Sequence, residues 1–257
     1  MIVAMNAEPD GETIAERLLG TLGLLVGSLP AGWRHRFPGG TSVFSGAQVP
    51  TLNGVWAVQD GFGADELEQA AATLEAHATV PICLQARPSL RATAAQVAER
   101  RAMKAMDDIP LMTAVGPVRG PEPRELAIRR LEATESRLHA EIAGEAFDAA
   151  PEVFTSIVTE ATFALPEFRA YAGDVNGVPV CTAVAATVAD SVGVFNVATA
   201  PDHRGRGYGA AITARAIADS RAAGATWSWL QSSALGSGVY ERLGFRTVER
   251  WACWIAA

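Results

Sequence analysis

The sequence predicts a mixed α/β fold, α+β in character, with helices covering a largely antiparallel sheet. Three observations carry that reading. Apolar residues recur at helical spacing in some segments and at strand spacing in others. The two kinds of segment alternate along the chain. The dipeptide Asn176-Gly177 joins two apolar runs in the manner of a hairpin turn. Of the 257 residues 49% are hydrophobic and 19% charged, and mean hydropathy is +0.14. That is too apolar and too weakly charged for a disordered chain, so a packed core is expected.

In chain order, an amphipathic helix is expected over 11–25. Its apolar stretch follows Glu8, Asp10, Glu12 and Glu16, the wrong polarity for a secretory leader. It is also shorter than the roughly 20 residues a membrane-spanning helix needs. A soluble, cytoplasmic protein without a membrane partner is therefore expected. A strand over 51–58, a helix over 64–78, a strand over 80–85 and a helix over 90–105 follow. The stretch 116–124 holds three prolines and two glycines, as a linker would, and divides the chain into domains at 1–119 and 120–257. Beyond it come a β-like segment at 126–131, helices over 135–149 and 151–161, and hairpin strands over 168–175 and 178–188. A strand over 192–199, a Gly/Arg loop, a helix over 209–223, a strand over 226–231, a helix over 237–243 and a strand over 246–255 complete the order.

Composition excludes some functions. A net charge of −7 and a pI near 5.2 oppose a nucleic-acid partner, which calls for a basic face. Cys83, Cys181 and Cys253 are odd in number and lack C-x-x-C spacing, so they read as buried thiols of a reducing compartment. His35, His77, His139 and His203 show no ligand spacing, and no metal is expected. A faint repeat relates Asn53 and Gln85, across a helix, to Asn196 and Gln231.

The densest chemical signal lies between a strand and a helix, in Arg204-Gly-Arg-Gly-Tyr-Gly209. Glycines at 205, 207 and 209 allow positive φ and close approach, so successive N–H groups can converge on an anion. The following helix aims its positive end at the same place, and Arg204 and Arg206 add charge. The spacing is not G-x-G-x-x-G, and no Gly-Lys-Ser/Thr follows, so neither a dinucleotide fingerprint nor a Walker A loop fits. A bare basic turn is the plain alternative.

This motif resembles the Arg/Gln-x-x-Gly-x-Gly/Ala pyrophosphate loop of the GCN5-related N-acetyltransferase (GNAT) family. Leu235-Gly-Ser-Gly-Val-Tyr-Glu-Arg-Leu-Gly-Phe245 resembles that family's second signature. The resemblance covers about 125–257 and implies acetyl coenzyme A as co-substrate. Val197, Ala198 and Thr199 would then pair with the pantetheine arm. The amides from Gly205 through Arg206, Gly207, Tyr208 and Gly209 to Ala210 would hold the pyrophosphate. A backbone N–H near 197–199 would meet the thioester oxyanion, and Tyr240 would protonate the leaving thiolate. Ser237 stands where the family often has an asparagine that touches the coenzyme. No carboxylate is clearly placed as general base, Glu160, Glu167 and Asp190 being candidates by region alone.

The first half resembles a degenerate copy of the same fold, with the shorter acidic loop Gln59-Asp-Gly-Phe-Gly63 and with Ala98-Glu-Arg100 near the place of Tyr240-Glu-Arg242. It is expected to shape the acceptor pocket or a homodimer contact. Trp227 and Trp229 share a strand face, either lining an apolar acceptor pocket or packing in the core, with Trp251 and Trp254 nearby. The function expected is acetyl transfer from acetyl coenzyme A to a primary amine of a small molecule or peptide. A non-catalytic acetyl-CoA sensor or scaffold is the rival reading, and transfer of a longer acyl chain is a third.

Overall fold

The computed structural model describes residues 8–61, 63–233 and 236–256. Phe62 of the first loop and Leu235 of the second signature lie outside the described residues. Asp10 accepts a hydrogen bond from the Thr13 amide at 2.8 Å and starts α1 (Gly11–Gly27), which buries Ile14, Leu18, Leu22 and Val26. The first half continues through β1 (Trp33–Phe37), β2 (Gly40–Phe44), β3 (Asn53–Ala57), α2 (Ala64–Glu75), β4 (Cys83–Ala86), α3 (Arg91–Arg100), β5 (Lys104–Ala105) and β6 (Ile109–Ala114). The second half comprises β7 (Leu126–Arg130), α4 (Ser136–Phe147), α5 (Pro151–Thr155), α6 (Glu160–Phe163), β8 (Phe168–Val175), β9 (Val178–Val188), β10 (Ser191–Thr199), α7 (Tyr208–Ala222), β11 (Trp227–Gln231), α8 (Ser237–Arg242) and β12 (Arg246–Ile255).

Among the described residues one sheet of twelve strands runs β1-β2-β3-β4-β12-β6-β11-β10-β9-β8-β7, with β5 beside β12. Its pairs are antiparallel except for β3 with β4 and β10 with β11. Each parallel pair is joined by a helix, α2 or α7, and each half ends with a helix and a strand that crosses to the other half. Thus β6 pairs with β11, Thr113 opposite Trp229, while β12 pairs with β4, Gln85 opposite Cys253. The two crossing strands also pair with each other.

Three sequence expectations need correction. The hairpin of β1 and β2 and the strand β6 were not expected. Arg34, His35 and Arg36 make β1 a charged, exposed edge without an alternating pattern, and Pro110 sits in β6 as a ladder breaker would. The helix expected over 90–105 stops at Arg100, where Ala102 takes φ 51° and the chain turns into β5. The segment 151–161 forms two short helices, because Thr159 caps a fresh start for α6.

The halves meet over a core in which Trp56, Trp229 and Trp251 are fully buried among Ile14, Leu111 and Cys253. Trp227 and Trp229 belong to this core, and Trp254 packs into that of the first half. All three cysteines are free and buried. Glu249 of β12 fixes the junction. It accepts from Arg87 Nε (3.1 Å), Arg87 Nη2 (2.8 Å) and Trp251 Nε1 (2.8 Å), while Arg87 Nη1 reaches the Val58 carbonyl at 3.1 Å. The carboxylate also abuts the first turn of α1, where a Cβ on Gly11 would lie 1.9 Å from its Oε1. Both side chains of the pair are about five-sixths buried, with exposures of 15% and 16%. Arg87→Met strands the Glu249 carboxylate and is expected to cost on the order of 3 kcal/mol. Arg87→Met with Glu249→Gln should recover part of that loss in urea unfolding.

On α4, His139 is fully buried. Its Nδ1 lies 2.7 Å from Thr182 Oγ1, whose own proton goes to the Tyr171 carbonyl at 2.8 Å. His139 Nδ1–H is therefore the donor, and Nε2 is left buried without a partner. Desolvation lowers the imidazole pKa to about 4. The unfolded chain takes up this proton below about pH 6.5 while the native state does not. Stability is therefore expected to fall by about 3 kcal/mol as pH drops through that window toward 4. Urea midpoints across pH 7 to 4 should show this slope, flattened in His139→Phe.

Candidate functional site

The site begins where two neighbouring strands stop pairing. β10 and β11 run parallel only from Ser191 opposite Trp227 to Gly193 opposite Trp229, although β10 continues to Thr199 and β11 to Gln231. At Gly193 a Cβ would lie 2.6 Å from the Trp229 ring, so the last point of contact is also a tight one. Beyond it the β11-facing edge of β10 has no strand partner. The register of β10 against β9 shifts between Phe195 and Ala198, and Asn196 takes φ 47°. This bulge turns Val197, Ala198 and Thr199 along the opening. The Ala198 side chain is buried, so only its backbone can serve a ligand, while Val197 and Thr199 are partly exposed.

At the end of that open edge lies the Gly/Arg loop. Gly205 and Gly207 take φ 76° and 82°, a conformation that disfavours side chains. Among the described residues, no backbone N–H from Gly205 to Ala210 donates to a backbone carbonyl; the next amide, Ala211, donates to Gly207 at 2.9 Å. Six consecutive donors, including the first turn of α7, thus remain available to an anion. A Cβ on Gly209 would point at Thr199 Oγ1 (3.4 Å) and Val197 Cγ1 (3.8 Å), so Gly209 keeps clear the space between loop and strand. Gly207 faces elsewhere, its absent Cβ lying 3.0 Å from Pro121 of the 116–124 segment.

The two arginines differ. Arg204 donates from Nε to the Thr199 carbonyl at 3.2 Å and from Nη2 to the Ala146 carbonyl, so its guanidinium braces the loop against β10 and α4. Arg206 is exposed, with Nη2 3.4 Å from the Asp202 carbonyl and its charge felt by Tyr208. Tyr208 points inward, its hydroxyl donating to Glu125 at 2.9 Å, and only its amide faces the cradle.

Across the opening, Ser237 starts α8 and Tyr240 follows one turn later. Gly244 takes φ 91° and lets Phe245 N–H close on the Tyr240 carbonyl at 3.0 Å, which explains the Leu-Gly-Phe sequence. The Tyr240 ring packs edge-on to Phe245 with centroids 6.0 Å apart. Tyr240, Val197 and Ala210 each pack against the same core cluster. Burial pushes the Tyr240 phenol up to about 12, which keeps it protonated at neutral pH.

Opposite the bulge lies a cavity of about 100 Å³. Asn196 and Gln231 line it from the second half, and Leu22 and Trp56 from the first. None of Glu160, Glu167 or Asp190 lines it; Asp190 is instead paired with Arg17 at 3.2 Å. The repeat anchors Gln85 and Gln231 meet, Gln231 Nε2 lying 3.3 Å from Gln85 Oε1. Asn53 and Asn196 are not equivalent: Asn53 is buried at the start of β3 and bonds the Ser45 and Gly46 amides, whereas Asn196 forms the bulge. The helix α2 also differs from α7, since Glu66 Oε2 accepts from the Gly63 amide at 2.9 Å and so fills its N-terminus. The sequence alone did not point to the bulge, the two glutamines as partners, or the leucines of α1 as walls. Asparagine inside an apolar strand was the available signal for the bulge.

A family model described as an acetyltransferase (GNAT) domain matches residues 127–248. A GCN5-related N-acetyltransferase from Kribbella flavida superposes with a TM-score of 0.70 at 24% identity, over 95% of each chain. One from Sphaerobacter thermophilus gives 0.58 at 19%, over 79% of this chain and 71% of that one. A tandem GNAT protein from the clavulanic acid biosynthesis pathway gives 0.58 at 15%, over 94% of this chain and 95% of that one. At these identities the structural likeness is one of fold. No curated protein matches the chain. The free amides, the parted strands and the family match fall on the same segment: residues 127–248 match the model of a GNAT acetyltransferase domain.

Proposed function

We propose that residues 120–257 transfer an acetyl group from acetyl coenzyme A to a primary amine of a small molecule or peptide, and that residues 1–119 are a degenerate copy that has lost the donor site. The observation that carries this is the row of unsatisfied amides from Gly205 to Ala210, set at the end of a strand edge with no partner. A diphosphate suits the amides, and an extended amide-containing arm suits the edge as an added strand would. In the first half Glu66 supplies its own anion to α2, which supports loss of a donor site there. The free thiols support a reducing, cytoplasmic setting, and the acidic balance speaks against nucleic acid as a partner.

In this reading Val197 and Thr199 orient the arm, and the loop amides with exposed Arg206 hold its phosphates. Bound there, the coenzyme supplies an acyl thioester whose sulfur departs as the amine takes the acyl group. Tyr240 holds the proton that the sulfur needs and recovers one from the amine nitrogen, so protons balance over a turnover. The polar groups near the bulge receive the oxyanion.

Gly209→Val should weaken acetyl coenzyme A binding at least tenfold in calorimetry while leaving the urea midpoint nearly unchanged. Gly207→Val would confound strain with binding, because of its φ and its contact with Pro121. Tyr240→Phe should lower turnover about a hundredfold or more, with coenzyme affinity unchanged. Unaltered turnover would remove Tyr240 from this role. Coenzyme binding with no turnover on any amine would favour a sensor or scaffold. Because burial holds the phenol protonated to about pH 12, kcat/KM should rise with pH as the amine loses its proton. No alkaline fall is expected below pH 10.

A further inference from the structure

The cavity of about 100 Å³ opens where β10 and β11 part, since Asn196 of the bulge and Gln231 at the end of β11 both line it. Its other walls include Leu18 and Leu22 of α1, Trp56 of β3, and Val184 and Phe195 of the second half. No charged side chain lines it. A group carrying an ammonium or carboxylate would be buried here without a counter-charge, which such walls reject. A dry cavity of about 150 Å³ accepts benzene, so this one suits roughly four carbon atoms. Gln231 is one of its polar lining residues, with Thr21, Thr51 and Asn196. Its amide nitrogen donates to Gln85, itself buried and 3.8 Å from Cys83 Sγ through its own nitrogen, which leaves the Gln231 carbonyl oxygen to accept a hydrogen bond.

We propose that this cavity, walled by both halves, selects the acceptor: a primary amine on a short, uncharged aliphatic group, bound as the free base with its N–H on Gln231 Oε1. This rests on the acetyltransferase reading above. The amine nitrogen attacks the thioester carbon, the carbon–sulfur bond breaks, the sulfur takes the Tyr240 proton, and the surplus amine proton returns to Tyr240. The first half thus contributes to specificity, through α1, β3 and the Gln85 contact.

The full-length protein is first titrated with acetyl coenzyme A. Thiol release is then followed with isobutylamine, isoamylamine, ethylamine, lysine, spermidine and glucosamine. Isobutylamine, isoamylamine and ethylamine should exceed the other three by at least tenfold in kcat/KM. Val184→Phe, which fills the cavity, should reduce kcat/KM for isoamylamine at least tenfold with coenzyme affinity unchanged. Leu22→Val, which widens it, should shift preference toward a longer chain. Gln231→Leu should raise KM for the amine more than it lowers kcat. Coenzyme binding with preference for a charged amine, or with no amine used, overturns the inference and leaves the donor site standing. Faster release from isovaleryl than from acetyl coenzyme A, with indifference to the amine, also overturns it and makes the cavity an acyl pocket. Failure to bind the coenzyme overturns the acetyltransferase reading and the inference together.

Discussion

The structure depends on an exchange of final strands. β6 leaves the first half to pair with β11, β12 leaves the second to pair with β4, and the two pair with each other at the centre of the sheet. Neither half can complete its sheet alone, because each would lose the strand that covers one edge of its parallel pair. The exchange also brings Trp56, Trp229 and Trp251 into one core and Glu249 against Arg87 and the start of α1. The cavity lies between the two halves that this junction joins. Its walls come from α1 and β3 on one side and from β10 and β11 on the other.

The two halves share an arrangement of strands and differ in electrostatics. In each, a helix leaves one strand of a parallel pair and returns to the other. At α7 the donors of the first turn and the preceding loop stay free, and glycines at positive φ keep them on a concave surface. At α2 the loop is shorter, and Glu66 folds back onto Gly63. A carboxylate already seated at a helix N-terminus removes the attraction for another anion. The two helix starts thus differ: free amides precede α7, and a carboxylate already stands at the start of α2.

Burial has opposite uses in this fold. It raises the Tyr240 phenol and keeps a proton beside the opening. It depresses His139, whose Nε2 lies buried without a partner, at a cost in acid stability. A wider groove of about 670 Å³ runs between α7 and the 118–126 segment. It lies apart from the strand splay, so size alone does not mark the site.

The sequence by itself determined the local elements and the chemistry of the loop. Glycine at 205 and 207 and the Leu-Gly-Phe turn are short-range requirements of backbone conformation, legible without partners, whereas Gly209 is helical and is needed for clearance from β10. The period of the apolar residues likewise placed most helices and strands of the second half. The tertiary structure alone decided which strand pairs with which. Residues such as Thr113 and Cys253 carry no mark of the distant strands they join, because ladder hydrogen bonds are made by backbone common to all residues. The charged edge strand β1 and the proline-bearing β6 were hidden for the same reason: neighbours, not their own pattern, make them strands. The cavity between the halves is hidden further still. It is a gap between Leu22, Trp56, Asn196 and Gln231, the first and last of them 209 positions apart, and a gap has no sequence of its own.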